Sequence, residues 1–100
     1  MRDPIVVEVE ADIEDLIPMF LEQRRKDQTV MTQALAAGDL ETLRVIGHGM
    51  AGAGSSYGFN QITAIGEAME RAARARDLAE LKTQAALLAD YMERVVVTYV

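Results

Sequence analysis

Apolar residues recur at helical spacing through most of the chain. Between Asp12 and Gly38 the pattern runs Ile13, Leu16, Ile17, Phe20, Leu21, Met31, Ala34 and Leu35, which predicts helix starting from an Asp12 cap. Pro18 divides this region into a short helix and a longer one, or kinks it. Gly38-Asp39 reads as a C-cap glycine followed by an N-cap aspartate. Beyond it, Leu43, Ile46, Met50, Ala53, Gly54 and Tyr57 form one stripe at about 100° per residue. Gly58 ends that helix. Asn60 caps the next, whose inner stripe is Ile62, Ile65, Gly66, Met69, Ala72 and Ala73. Asp77 caps the last, with Leu78, Leu81, Ala85, Leu88, Met92 and Val95 facing in. Short loops between long amphipathic helices imply antiparallel neighbours. The expected fold is therefore all-α, an up-down antiparallel four-helix bundle over 12–100, with an extra short N-terminal helix or arm.

Residues 1–11 form the arm. Their segment Pro4-Ile5-Val6-Val7-Glu8-Val9-Glu10 is extended in character, too short for a sheet of its own, and expected to lie on the bundle. The tail Val95-Val96-Val97-Thr98-Tyr99-Val100 is β-branched and frays or turns extended. The methionines on the stripes are core fillers.

Composition narrows the function. One hundred residues, half of them hydrophobic, suffice for one domain with one modest core. Without cysteine there is no disulfide framework or thiolate metal site, and one histidine makes a conventional zinc site a poor fit. The net charge of −6 argues against nucleic acid as a partner. No apolar run is long enough for a membrane span and no secretory signal is visible, so the expected location is the cytoplasm. The run Glu22-Gln23-Arg24-Arg25-Lys26-Asp27 reads as a solvated helix face of mixed charge rather than a basic patch.

The chemistry concentrates in His48-Gly49-Met50-Ala51-Gly52-Ala53-Gly54-Ser55-Ser56-Tyr57-Gly58-Phe59. It holds the one histidine, and five of the seven glycines lie between Gly47 and Gly58. Gly47 to Gly52 satisfies G-x-G-x-x-G. A dinucleotide site, however, needs a second strand ending in an acid about 20 residues on, and Ala68 to Arg74 reads as helix. Gly49 to Ser55 lacks the lysine of a phosphate loop. A flexible loop is a third reading. As a helix, the segment points His48 away from the apolar stripe, with Arg44, Gly52 and Ser55 as its outer-face neighbours. Helical glycine costs about 0.5–1 kcal/mol relative to alanine. Several together trade helix strength for room around an exposed imidazole, the arrangement a phosphoryl acceptor needs.

On these residues the chain resembles the histidine-containing phosphotransfer (HPt) domains of bacterial two-component phosphorelays. Their signature H-x-x-K-G-[SA]-x-x-x-x-G is met by His48, Gly52, Ala53 and Gly58 in register. Met50 and Tyr57-Gly58-Phe59 accompany it. Leu16 to Arg25 and Ala36-Ala37-Gly38-Asp39-Leu40 are also typical. One position departs: the family's lysine, three residues after the histidine, is here Ala51.

The resemblance implies a phosphoryl carrier with no kinase activity and no cofactor of its own. His48 would accept a phosphoryl group from the aspartate of a receiver domain, in a response regulator or hybrid histidine kinase, and pass it to another receiver. The Mg²⁺ is expected on the receiver. Histidine suits the task because an imidazole with an ordinary pKa near 6.5 is largely neutral at cytoplasmic pH. The missing lysine bears on transfer rate and phosphohistidine lifetime. Arg44, one turn before His48, and Arg71 and Arg74 on the next helix are the candidate cations around the site, with Gly52, Ser55 and Ala51 facing the partner. The rival is a degenerate HPt-like module that docks receivers or kinases without carrying phosphate.

Overall fold

The computed structural model describes residues 3–100; Met1 and Arg2, the start of the expected arm, lie outside the described residues. Strand β1 (Ile5–Val9) leads into a 3₁₀ segment (Ala11–Leu16) and then helix α1 (Ile17–Ala37). Helix α2 (Leu40–Ala53), a 3₁₀ turn (Ser55–Tyr57), helix α3 (Asn60–Arg74), helix α4 (Leu78–Arg94) and strand β2 (Val95–Tyr99) complete the chain. The four helices pack as a bundle, as expected, and the two ends of the described chain form a small two-stranded parallel sheet.

Pro18 stands in the first turn of α1, where its missing N–H leaves no bond unmade. The chain splits there as anticipated, but the preceding short helix is 3₁₀ and uncapped by any side chain. Asp12 lies inside it rather than capping it. Ile13 has non-helical dihedrals (φ −110°, ψ 15°), which breaks the 3.6-residue period and turns Leu16 out to solvent instead of into the core.

Two of the three junction caps anticipated from the sequence form, and by one device. Gly38 is left-handed (φ 67°) and Asp39 N–H donates to the Ala34 carbonyl at 2.8 Å. The Asp39 carboxylate then accepts from Thr42 N–H at 3.1 Å to start α2. At the α3–α4 junction Arg76 takes the left-handed place (φ 58°), Asp77 N–H donates to the Ala72 carbonyl at 2.9 Å, and the Asp77 carboxylate accepts from Glu80 N–H at 3.0 Å. A non-glycine there costs about 1 kcal/mol. The third expectation fails. Asn60 is the first residue of α3, and the capping position is Phe59, whose side chain is buried and makes no cap. Gly58 ends the 3₁₀ turn at φ 92° rather than α2 itself, which closes at Gly54.

Each residue of the predicted α3 stripe, Ile62, Ile65, Gly66, Met69, Ala72 and Ala73, is buried. On α2, Leu43 and Met50 are fully buried. On α4, Leu81 and Leu88 are buried, whereas Leu78 is exposed because it begins the helix ahead of the packed turn. Arg24 departs from the solvated face expected of its run. It stands one turn beyond buried Phe20 on the inward stripe of α1, with its side chain only 9% exposed. Its guanidinium lies 4.9 Å over the Phe20 ring, and Nε sits 2.9 Å from Asp27 Oδ2 without the alignment of a hydrogen bond.

Helices α2 and α3 approach until backbone meets backbone. A Cβ built on Gly66 would lie 2.5 Å from Ala51 N and 2.6 Å from the Gly47 carbonyl oxygen. One on Gly47 would lie 2.8 Å from the Gly66 carbonyl oxygen and 2.9 Å from Glu70 N. Glycine is required at both positions because no side chain fits between the helices.

The arm and tail, expected to lie on the bundle and to fray or extend, are partners. β1 and β2 pair in parallel, in the register Ile5↔Val95 to Val9↔Tyr99. Parallel strands need a long crossover, and here the whole bundle is that crossover.

Buried Tyr91, at the end of α4, carries a hydroxyl with no hydrogen-bond partner, and desolvation pushes its phenol up to about 12 from 10.0. The fold thus favours the neutral phenol; that stability is complete below pH 10.0 and is lost as pH rises through about 12. Tyr91→Phe is expected to raise stability at neutral pH by about 1 kcal/mol, by removing an unsatisfied buried group. Its stability should also fall less steeply than the parent's between pH 10 and 12. Urea denaturation at neutral and alkaline pH checks both; a destabilised variant at neutral pH would mean that the hydroxyl is solvated after all.

Candidate functional site

The glycines that allow α2 and α3 to touch also build the site. His48 follows Gly47, and Glu70 lies one turn beyond Gly66 on α3. The His48 side chain is 74% exposed, and its Nδ1 stands 3.1 Å from Glu70 Oε2. Glu70 is 15% exposed, and the same oxygen accepts from Arg74 Nη2 at 3.0 Å. A carboxylate can only accept, so this hydrogen bond places the proton of neutral imidazole on Nδ1 and the free lone pair on Nε2. The arrangement is an oriented nucleophilic nitrogen on a solvent-facing ring, backed by an anion that is itself neutralised by a guanidinium.

Sequence reasoning missed Glu70. From the segment Ala68 to Arg74 the sequence reading takes Arg71 and Arg74 as candidate cations and Met69, Ala72 and Ala73 as core, and leaves the acid between them aside. The available signal was its position beside the α3 stripe and its i,i+4 spacing to Arg74.

The other candidate residues divide. Arg74 is brought to His48 through Glu70. Arg44 is half-buried and engaged elsewhere: Nη2 and Nε donate to Glu41 Oε1 and Oε2 at 2.6 and 3.0 Å. Those bonds raise the Arg44 pKa, with Glu70 adding a smaller long-range pull, and the bond from Arg44 holds the Glu41 carboxyl below its usual range. Arg71 is exposed and lines a depression with Ala68, Ala72, Ala75, Asp77 and Glu80, residues of α3, α4 and their junction and none of α2.

Gly52 is exposed, and a Cβ there would meet nothing within 4 Å. Ser55 is exposed, with its N–H donating to Thr63 Oγ1 at 2.7 Å. Ala51 is half-buried against α3, its carbonyl accepting from Thr63 Oγ1 at 3.3 Å.

Among the described residues no group of three or more His, Cys, Asp or Glu side chains is placed to hold a metal ion, and no helix is long and apolar enough to cross a membrane.

The four-helix bundle narrows the class of protein, and the sequence comparison names it. The sequence model of the Hpt domain family matches residues 15–97. The chain belongs to that family. No curated protein and no solved structure matches it. Hpt domains carry phosphoryl groups in phosphorelays, are not kinases, and typically interact with receiver domains.

Proposed function

We propose that His48 is the phosphoryl acceptor of this domain, taking the group from a receiver aspartate and passing it to another receiver. The hydrogen bond from Nδ1 to Glu70, on a ring 74% exposed, carries the reading. The Nε2 lone pair attacks phosphorus in line as the bond from phosphorus to the aspartyl oxygen breaks, leaving the receiver a carboxylate. The Nδ1 proton stays in place, shared with Glu70, so the positive charge that develops on the ring faces an anion already in position. Positioning supplies most of what the domain contributes.

The bare surface at Gly52 leaves room for the receiver beside the ring, and Ser55 continues that surface. Ala51 brings no cation. Arg74, held at the site by Glu70, is the residue best placed to meet phosphoryl oxygens; Arg44 would first have to leave Glu41, and Arg71 is a docking contact at most.

Ala51 also favours the second reading, a receiver-docking module that carries no phosphate. Incubation with phosphorylated receivers separates the two: acid-labile, base-stable label on the protein supports the relay, and receiver binding without label supports the module.

Glu70 gives a finer test. Glu70→Ala is expected to slow transfer about tenfold, equivalent to about 1.4 kcal/mol, the low end for a hydrogen bond to a charged group. Glu70→Gln, whose amide oxygen can still accept from Nδ1, should fall between the two. Single-turnover transfer rates, with ¹⁵N spectra reporting the ring tautomer, decide it. Equal rates in all three proteins would remove Glu70 from the mechanism.

A further inference from the structure

The sheet at the chain ends is incomplete as a sheet. Among the described residues it has two strands, so β1 and β2 each have one strand neighbour and one edge without a second. Parallel sheets are ordinarily covered on both faces, and a two-stranded ribbon is marginal by itself. Here the outward positions Val6 and Val96, paired in register, are 59% and 46% exposed, and Val100 is 67% exposed. This is apolar surface on an element that gains most from another strand.

The two edges are not equivalent. β1 is entered through Pro4, which has no N–H to donate, and Asp3, Glu8 and Glu10 charge its length. Such residues keep other strands away. β2 with the residue after it reads Val95-Val96-Val97-Thr98-Tyr99-Val100, with no charge, proline or glycine. Its edge carries none of those protections.

We propose that β2 is a self-association edge, pairing with β2 of a second copy of this chain. A two-fold axis perpendicular to the sheet makes two copies of one strand antiparallel, and the contact closes on itself. With the axis at Val97, Val95 lies opposite Tyr99 of the second copy and Val96 opposite Thr98, giving the strand order β1-β2-β2-β1. No like charges face each other anywhere along this pairing. Pairing β1 with β2 of another copy would be head-to-tail, would leave fresh edges open, and would meet the proline and carboxylates of β1. The β2 edge suits an uncharged, β-branched strand with its own edge free, and β2 is one.

One strand pair covers far less than the roughly 1,600 Å² of a standard interface, so the dimer is weak and exchanging. Each copy carries a net charge of −6, so screening by salt should strengthen it. The association does not depend on the role of His48.

Sedimentation equilibrium from micromolar to millimolar protein tests the proposal. The average mass should climb from 11.0 kDa towards twice that value, at lower concentration in 0.5 M than in 0.05 M salt. Val96→Lys puts a charge on an exposed position of the strand and should weaken association at least tenfold. Thr98→Lys, also exposed, repeats the test should the first variant fold poorly. Nuclear Overhauser contacts between differently labelled copies should join β2 to β2. A chain that stays monomeric at millimolar concentration in both salts overturns the proposal. So does a dimer unaffected by both variants, intermolecular contacts confined to the helices, or a β2 edge that pairs only with extended segments of other proteins.

Discussion

His48→Gln is expected to reduce phosphoryl acceptance to background while the bundle stays folded. Glutamine is similar in reach, but its amide nitrogen has no lone pair available for attack, so the loss should be complete rather than graded. The structural cost is small because the ring is 74% exposed, and exposed substitutions usually change stability by within about 0.5 kcal/mol. Glu70 loses one partner and keeps Arg74. Measurement needs two readouts on the same sample: label transferred from a phosphorylated receiver, and a urea unfolding curve. Label retained by the folded variant would assign the acceptor elsewhere.

Gly66→Val should have the largest effect on stability. A Cβ at this position would come within 2.5 Å of Ala51 N, 2.6 Å of the Gly47 oxygen and 2.8 Å of Met50 Cβ. Two of these are backbone atoms of a neighbouring helix, and a side-chain rotation cannot relieve them. The helices must separate, which opens the buried seam around Met50 and Met69. Overpacking alone costs about 1–3 kcal/mol, and a β-branched side chain against backbone belongs at or above the top of that range. Against a total stability of about 5–15 kcal/mol, a loss of about 3 kcal/mol or more leaves the domain marginal. The surviving folded fraction should also transfer slowly, because separating α2 from α3 draws Glu70 away from His48. Gly52→Ala is the control: with nothing within 4 Å of its Cβ, it should gain about 0.5–1 kcal/mol as an ordinary helical replacement. Equal behaviour of the two variants would show that the close approach of the helices is not what holds them.

The contrast between these glycines shows what a sequence read by periodicity can reveal. Spacing placed Gly66 on an inward stripe and Gly52 on an outward one, because each position depends only on its own helix. It also placed His48 outward and located the Gly38-Asp39 and Asp77 caps, which are local hydrogen-bond devices. Glu70 escaped because its meaning is tertiary: its bond to His48 spans 22 residues and exists only where two glycines let two helices touch. Arg24 escaped because its charge suggested solvent, although its place one turn beyond Phe20 suggested the core, and the core prevailed with an aromatic ring and Asp27 as company. The β1–β2 pairing joins Ile5 to Val95 across the full bundle, a separation about which local propensity is silent.

That pairing also decides how the domain meets mechanical load. Tension on the two chain ends pulls β1 backwards from Ile5 and β2 forwards from Tyr99. Because the strands run parallel, they are asked to slide past each other rather than peel apart. The rungs of the ladder share the force together, and the line of tension passes from one strand to the other without entering the helices. A pull transmitted through this chain would therefore be borne by a five-residue ribbon, leaving the geometry around His48 unstressed until the ribbon yields.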